Sequence, residues 1–121
     1  EFEHIGTGMT ESSGVFTFPS TGKWIVDFQQ NHRSHLDDYA QYSIEVTINN
    51  GTDWYLRTYN QHGNNTGRRY STGKSSILFD VTNTTNCKVR FNVTEANDGN
   101  KTSGNTTSHD TAFSFMKLGD T

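Results

Sequence analysis

The stretch GVFTFPSTGKWIVDF, from Gly14 to Phe28, holds the chain's only proline between two runs of aromatic and aliphatic residues. Pro19 has no amide hydrogen to donate, so it suits the end or the edge of a strand rather than the middle of a sheet. Gly22 permits the positive φ that a chain reversal after Pro19 can require. The stretch therefore predicts two core strands joined by a turn, and we expect these strands to lie side by side.

The rest of the chain is polar, with the kind of polarity that β proteins have. Hydrophobic residues make up 30% of the 121 residues and the mean hydropathy is -0.81, values that also occur in disordered chains. However, the net charge is only -3 and aromatic residues reach 12%. Asn, Thr, Ser and Gly are typical of turns and exposed strand faces. The composition therefore predicts an all-β fold, and the length predicts one domain over residues 1–121.

Alternation of apolar and polar residues, typical of a half-buried strand, recurs along the chain. It is clearest in QYSIEVTIN, where one face is expected to carry Tyr42, Ile44, Val46 and Ile48. The NNG triplet at 49–51 favours a hairpin, with DWYLRTY as the return strand. SSILFDVT, CKVRFNVT and TAFSFMKLGD predict further strands, whereas residues 95–110 are expected to form a long exposed loop. About eight to ten short strands favour an antiparallel sandwich or jelly roll.

The quoted stretch also resembles a family pattern. The C1q/TNF superfamily has an early pattern of the kind G-x-F-x-x-P-x-x-G-x-Y-x-F, which is similar to Gly14, Phe16, Pro19, Gly22, Trp24 and Phe28, with Trp24 in place of the usual Tyr. The closing TAFSFMKL resembles the family's final aromatic strand without its glycine. The similarity covers the chain from about Phe2 to Leu118. It implies an antiparallel jelly-roll sandwich that assembles as a homotrimer.

A second resemblance concerns the source of the chain. The ending SFMKLGDT looks like the C-terminal domains of tailed-phage virion proteins, especially those of marine phages, which are fibres, appendages or capsid-surface decorations. The resemblance implies a location on the virion surface. The alternative location is extracellular, as a secreted C1q/TNF-like protein.

The homotrimer implied by the resemblance needs a contact surface. The chain has few aliphatic residues, and some predicted strands carry bulky side chains on both faces. We therefore expect the outer face of these strands to be covered by another subunit. Our candidates for the intersubunit surface are Tyr55, Tyr59, Phe113 and Phe115. The alternative is that these side chains complete the monomer's own core or edge.

Metal binding has a limited basis in the sequence. His32 and His35 are three residues apart, and on a three-fold axis any histidine is present three times, which suits Zn or Ni. Asp98 lies in NDGN, which resembles part of a calcium loop but lacks the spacing to a bidentate Glu. We interpret the histidines as exposed loop residues. No cofactor is therefore expected, with an ion on the trimer axis as the alternative.

Aromatic and arginine side chains provide candidates for ligand recognition. Aromatic rings can stack on sugars while arginines donate hydrogen bonds to them, and the residues that fit this description are Trp54, Tyr59, Arg68, Arg69 and Tyr70. Loops 61–69 and 96–110 are the surfaces most suited to variation. The alternative interpretation is that these loops are ordinary connections.

Several function classes find no support in the sequence. It contains neither a Gly-x-Ser-x-Gly elbow nor a His-Glu-x-x-His motif, and Asp37–Asp38 fits a solvated loop better than an acid–base pair. The ten basic residues are scattered, and no apolar run approaches the length of a membrane span. We therefore expect neither an enzyme, nor nucleic-acid binding, nor membrane insertion.

The expected function is that of a virion structural or adhesion module. A trimeric head on a phage fibre or appendage would bind a host-surface receptor or glycan, whereas a head on the capsid would contact other virion proteins. The alternatives are a secreted C1q/TNF-like ligand and a monomeric carbohydrate-binding β-sandwich.

Overall fold

The computed structural model describes residues 5–34, 39–63, 69–95 and 101–121. No helix occurs within these ranges, which confirms the prediction of an all-β chain. The strands are β1 (Thr10–Ser12), β2 (Val15–Thr17), β3 (Gly22–Ser34), β4 (Tyr39–Thr47), β5 (Tyr55–Gly63), β6 (Arg69–Val81), β7 (Lys88–Glu95), β8 (Lys101–Thr102) and β9 (Ala112–Gly119).

The strands form two antiparallel sheets that enclose one core. Sheet A has the order β1-β2-β7-β4-β5. In sheet B, β3 pairs along its whole length with β6. The other edge of β3 is shared between two strands, because β9 pairs with residues 23–29 and β8 with residues 32–33. Buried side chains from both sheets meet in one cluster, so the fold is a β-sandwich.

The two runs that flank Pro19 lie in different sheets. Val15–Thr17 is β2 of sheet A, whereas Gly22 begins β3 of sheet B, so the prediction that the runs lie side by side is wrong. The physical reason is that their aromatic side chains pack against each other across the core, for example Phe18 on Trp24 with ring centroids 5.4 Å apart. Gly22 does take the predicted positive φ, at 138°.

An aromatic cluster joins the two sheets. Phe16 and Phe91 come from sheet A, whereas Phe28, Phe113 and Phe115 come from sheet B. The Phe91 and Phe113 rings stack with centroids 4.1 Å apart, and Phe91 lies 5.2 Å from Phe28. Phe28 is fully buried and contributes about 1.5–3 kcal/mol, whereas the other four rings stay partly exposed; each aromatic pair adds roughly 0.5–1.5 kcal/mol. A few phenylalanines thus compensate for the low hydrophobic content.

The hairpin between β4 and β5 forms where NNG predicted it. Asn50 and Gly51 both have positive φ, at 58° and 89°, as a type I′ turn requires. The Thr47 hydroxyl accepts a hydrogen bond from the Gly51 amide at 2.9 Å, which fixes the turn. Ile48 was expected to face the core, but it is 54% exposed because β4 ends at Thr47.

The interior becomes polar towards the far end of β3. The inward-facing positions that follow Phe28 are Gln30 and His32, and both side chains are fully buried. His32 was expected in an exposed loop, and this interpretation is wrong because β3 continues to Ser34. The predicted loop over residues 95–110 likewise contains β8, which pairs with β3, whereas residues 96–100 lie outside the described ranges.

We expect Gly73→Ala to destabilise the protein. A Cβ at Gly73 would overlap the hydroxyl and ring of Tyr42, which faces it from the other sheet. Overpacking of this kind costs about 1–3 kcal/mol, more than the strand propensity gained by replacing glycine. Gly104→Ala is the matched control, because nothing lies within 4 Å of its added Cβ. Urea unfolding curves measure both variants, and equal midpoints would contradict this packing.

Candidate functional site

The outer surface of sheet B, here called the B face, carries an apolar row. Ile25 lies between Leu78 on β6 and Met116 on β9. These residues face outward because their chain neighbours Trp24 and Val26 are buried in the core. Leu78 is 66% exposed and Met116 is 61% exposed. A contiguous apolar row on a protein surface is typical of an interaction site.

A polar row follows the apolar row on the B face. Asp27 pairs across the sheet with Ser76 and Ser114, and Lys74 Nζ lies 3.1 Å from Asp27 Oδ2. Burial alone would raise the pKa of the Asp27 carboxyl. Hydrogen bonds from Ser76, Lys74 and Ser114, together with the charge of Lys74, outweigh this effect and lower the pKa below its usual value. The face therefore holds an ionised, internally paired carboxylate.

A pocket of about 110 Å³ opens beside Asp27 on the B face. Its lining includes Gln29, Lys74 and Phe113. Gln29 Nε2 donates hydrogen bonds to the carbonyl oxygens of His109 and Asp110, at 3.0 and 3.2 Å, and thereby holds this segment on the sheet. Asp27 accepts a hydrogen bond from Ser114 at 3.3 Å and forms an ion pair with Lys74. These contacts link β3 to β9 and to β6.

The outer surface of sheet A, here called the A face, carries a stacked ion pair. Arg90 Nη2 lies 2.6 Å from Glu45 Oε2, and the Arg90 guanidinium lies 4.2 Å from the centroid of the Trp54 ring. Trp54 was predicted to stack on a sugar, but the arginine already occupies one face of its ring. Tyr59 lies on the same face of the sandwich, opposite Ser43, and is 53% exposed.

The predicted ligand-binding residues do not form a single cluster. Tyr70 lies on the B face opposite Arg33, whose guanidinium carbon is 5.8 Å from the tyrosine ring centroid. Trp54 and Tyr59 belong to the A face, on the other side of the sandwich. Arg69 begins β6, and Arg68 lies outside the described residues.

The predicted trimer-interface residues also divide into two groups. Phe113 and Phe115 point from β9 into the sandwich, where both contact Phe16. Phe113 remains 40% exposed at the edge of the core. Tyr55 and Tyr59 lie on β5 and are 41% and 53% exposed.

The predicted metal ligands do not assemble within the described residues. His32 is fully buried in β3, whereas His35 and Asp98 lie outside the described ranges. No group of three His, Cys, Asp or Glu side chains suited to a metal ion occurs in the part of the chain that the structure describes.

A polar cluster lies at the end of the sandwich where β3 carries Gln30 and His32, and it extends from the buried Gln30 to the half-buried His62 and Ser71. His62 Nδ1 lies 2.7 Å from Ser71 Oγ, and His62 Nε2 contacts Gln30 Oε1. Because the Gln30 carbonyl oxygen can only accept, Nε2 carries the proton and Nδ1 accepts from the serine hydroxyl. Gln30 Nε2 in turn donates to Thr102 Oγ1 at 3.1 Å, which ties β8 to the cluster.

The sequence contained a signal for this cluster that the prediction missed. Gln30 and His32 continue the alternation of Val26 and Phe28, and the same alternation places them inward. Burial and the neighbouring His32, whose ring centroid is 5.3 Å away, lower the pKa of His62 below its usual value. The cluster is therefore built around a neutral imidazole.

In comparisons with known proteins, no protein-family model and no curated protein matches this sequence. The resemblance to the C1q/TNF superfamily therefore rests on the residues quoted above. Among the described residues, no helix is long and apolar enough to cross a membrane.

We expect the protein to lose stability as the pH falls from 7.5 to 5. Folding lowers the pKa of His62 below 6.5, so the unfolded chain binds the proton more tightly. The stability that the neutral ring contributes is complete above pH 6.5 and is lost as the pH falls through the folded-state pKa. Urea midpoints at several pH values measure this loss.

His62→Gln should flatten this dependence, because glutamine stays neutral and can still form hydrogen bonds. His109→Gln changes an exposed histidine and is the matched control. An unchanged pH dependence in the His62 variant would contradict the assignment.

Proposed function

We propose that the protein is a non-enzymatic head module of jelly-roll topology that assembles as a homotrimer on the surface of a phage virion. It serves there in adhesion to the host surface or in decoration of the capsid. The observation that carries the assembly is the apolar row Leu78–Ile25–Met116 on the B face.

The path of the chain supports the jelly-roll topology. The connections β2–β3, β3–β4, β5–β6, β6–β7 and β7–β8 pass from one sheet to the other, whereas β1–β2 and β4–β5 are hairpins within sheet A. Repeated crossing between two antiparallel sheets is typical of a jelly roll.

The apolar row supports self-association because it extends to both strands that flank β3. Leu78 lies on β6 at one end, and Met116 lies on β9 at the other, with Leu118 also exposed on β9. Contact between the Leu78 end of one copy and the Met116 end of the next is heterologous, and such contacts form a ring when the rotation between copies closes. Three copies complete the ring that the family resemblance implies, with their B faces towards the axis.

The charges of the B face are compatible with this arrangement. Lys23 lies opposite Asp80, and Asp27 forms an ion pair with Lys74 within each copy. Paired charges limit the repulsion between like charges that assembly would otherwise cause. In this arrangement Tyr59 lies on the A face, away from the axis, and Tyr55 pairs with the buried Val46 on the edge strand of sheet A, so the contact uses Leu78 and Met116 instead.

Light scattering at micromolar concentration tests the assembly. We expect a mass three times the 13.6 kDa of the chain. Leu78→Glu or Met116→Glu should yield monomers, because either change places a charge in the apolar contact. Thr94→Glu is the matched control, since Thr94 is exposed on the A face. A wild-type protein that stays monomeric would refute the assembly.

A further inference from the structure

We propose that the A face binds an uncharged glycan around Tyr59. This inference rests on the proposed function, because it names the ligand of an adhesive head. The site consists of two cross-strand rows on β5, β4 and β7, namely Tyr59–Ser43–Asn92 and Gln61–Gln41–Thr94. These side chains point away from the core, because Tyr42 and Ile44 between them are buried.

The backbone makes this surface rigid. β4 is the central strand and is hydrogen-bonded to β5 on one side and to β7 on the other, with residues 41–44 in continuous register with both. Neighbouring strands lie about 4.8 Å apart, so each row spans roughly 10 Å. Ser43 is only 7% exposed beneath its neighbours, so Tyr59 and Asn92 determine the shape of the upper surface.

Tyr59 provides the platform for a sugar ring. Its side chain is 53% exposed, and its hydroxyl accepts a hydrogen bond from Gln61 Nε2 at 3.5 Å, which orients the phenol. A tyrosine combines an apolar ring face with a polar tip. The apolar face suits the C–H face of a pyranose, and the polar tip suits its hydroxyl groups.

The neighbouring side chains match the hydroxyl groups of a neutral sugar. Gln41, Gln61 and Asn92 each offer a donor and an acceptor, and Thr94 adds a hydroxyl that does both. Sugar hydroxyls also donate and accept hydrogen bonds, so each of these side chains can bond to a sugar hydroxyl as donor or as acceptor. Neither row contains a charged residue.

The charged residues of the adjacent row on the A face are paired with each other. Glu45 and Arg90 form an ion pair at 2.6 Å, and Trp54 covers the guanidinium. A sialylated or sulfated glycan would therefore gain no ion pair from Arg90 without breaking that contact. This arrangement favours uncharged glycans over acidic ones.

The proposed trimer would strengthen weak binding at a single site. With the B faces at the axis, three A faces point outward, and simultaneous engagement raises the effective concentration at each site. Adhesion to a densely glycosylated surface then needs only modest affinity from each copy.

The test begins with a printed array of neutral, sialylated and sulfated glycans, followed by NMR titration with cellotriose, maltotriose and chitotriose. We expect binding to neutral glycans, with amide shift changes centred on Ser43, Tyr59 and Asn92. Tyr59→Ala should weaken binding roughly tenfold or more, because it removes the stacking platform. Tyr59→Phe should retain most of it.

Tyr55→Ala is the control, because Tyr55 is an exposed tyrosine on the same strand but pairs with the buried Val46 and so lies on the other side of the sheet from Tyr59. The inference is overturned if no neutral glycan binds, if only acidic glycans bind, or if Tyr59→Ala binds as well as the wild type. Attachment to a host protein that neutral oligosaccharides do not inhibit would overturn it as well.

Light scattering on the same samples separates the two proposals. A trimer that binds no neutral glycan refutes the glycan site and leaves the assembly intact. A monomer that binds neutral glycans through Tyr59 refutes the assembly and leaves the site intact.

Discussion

The contact between phenylalanine rings of opposite sheets is the interaction on which the rest of the fold depends. Phe91 of sheet A stacks on Phe113 of sheet B, and Phe16 and Phe28 extend the cluster on either side. These rings pack against fully buried side chains of both sheets, among them Val26 of sheet B and Ile44 and Val89 of sheet A. The aromatic end of the sandwich therefore aligns the two sheets, and both outer faces acquire their rows of side chains from that alignment.

The opposite end of the sandwich is held by hydrogen bonds. Gln30, His62 and Ser71 come from three different strands and satisfy one another in the interior, with Thr102 joining from β8. Gln30 is fully buried, so its amide would be costly to leave without these hydrogen bonds. Protonation of His62 would introduce a charge there, so this end of the fold is sensitive to acid whereas the aromatic end is not.

Local features of the sequence were predictable, and partners distant in the sequence were not. Tyr42, Ile44 and Val46 are buried as their alternation predicted, and the NNG turn follows from a preference for positive φ. Alternation does not show which aromatic residues pack against each other. It therefore could not predict that the two runs beside Pro19 belong to different sheets. In the candidate site, the contact of Trp54 with Arg90 was not predictable for the same reason, because Arg90 lies on another strand.

Native-state hydrogen exchange tests most directly whether the aromatic end of the sandwich is more stable than the polar end. We expect amides of residues 24–28 and 44–46, in the aromatic end, to exchange only through global unfolding. Amides of residues 30–34 and 71–73, in the polar end, should exchange through local opening at a lower free energy. Equal protection at both ends, or greater protection at the polar end, would contradict the claim that the aromatic contacts hold the sheets together.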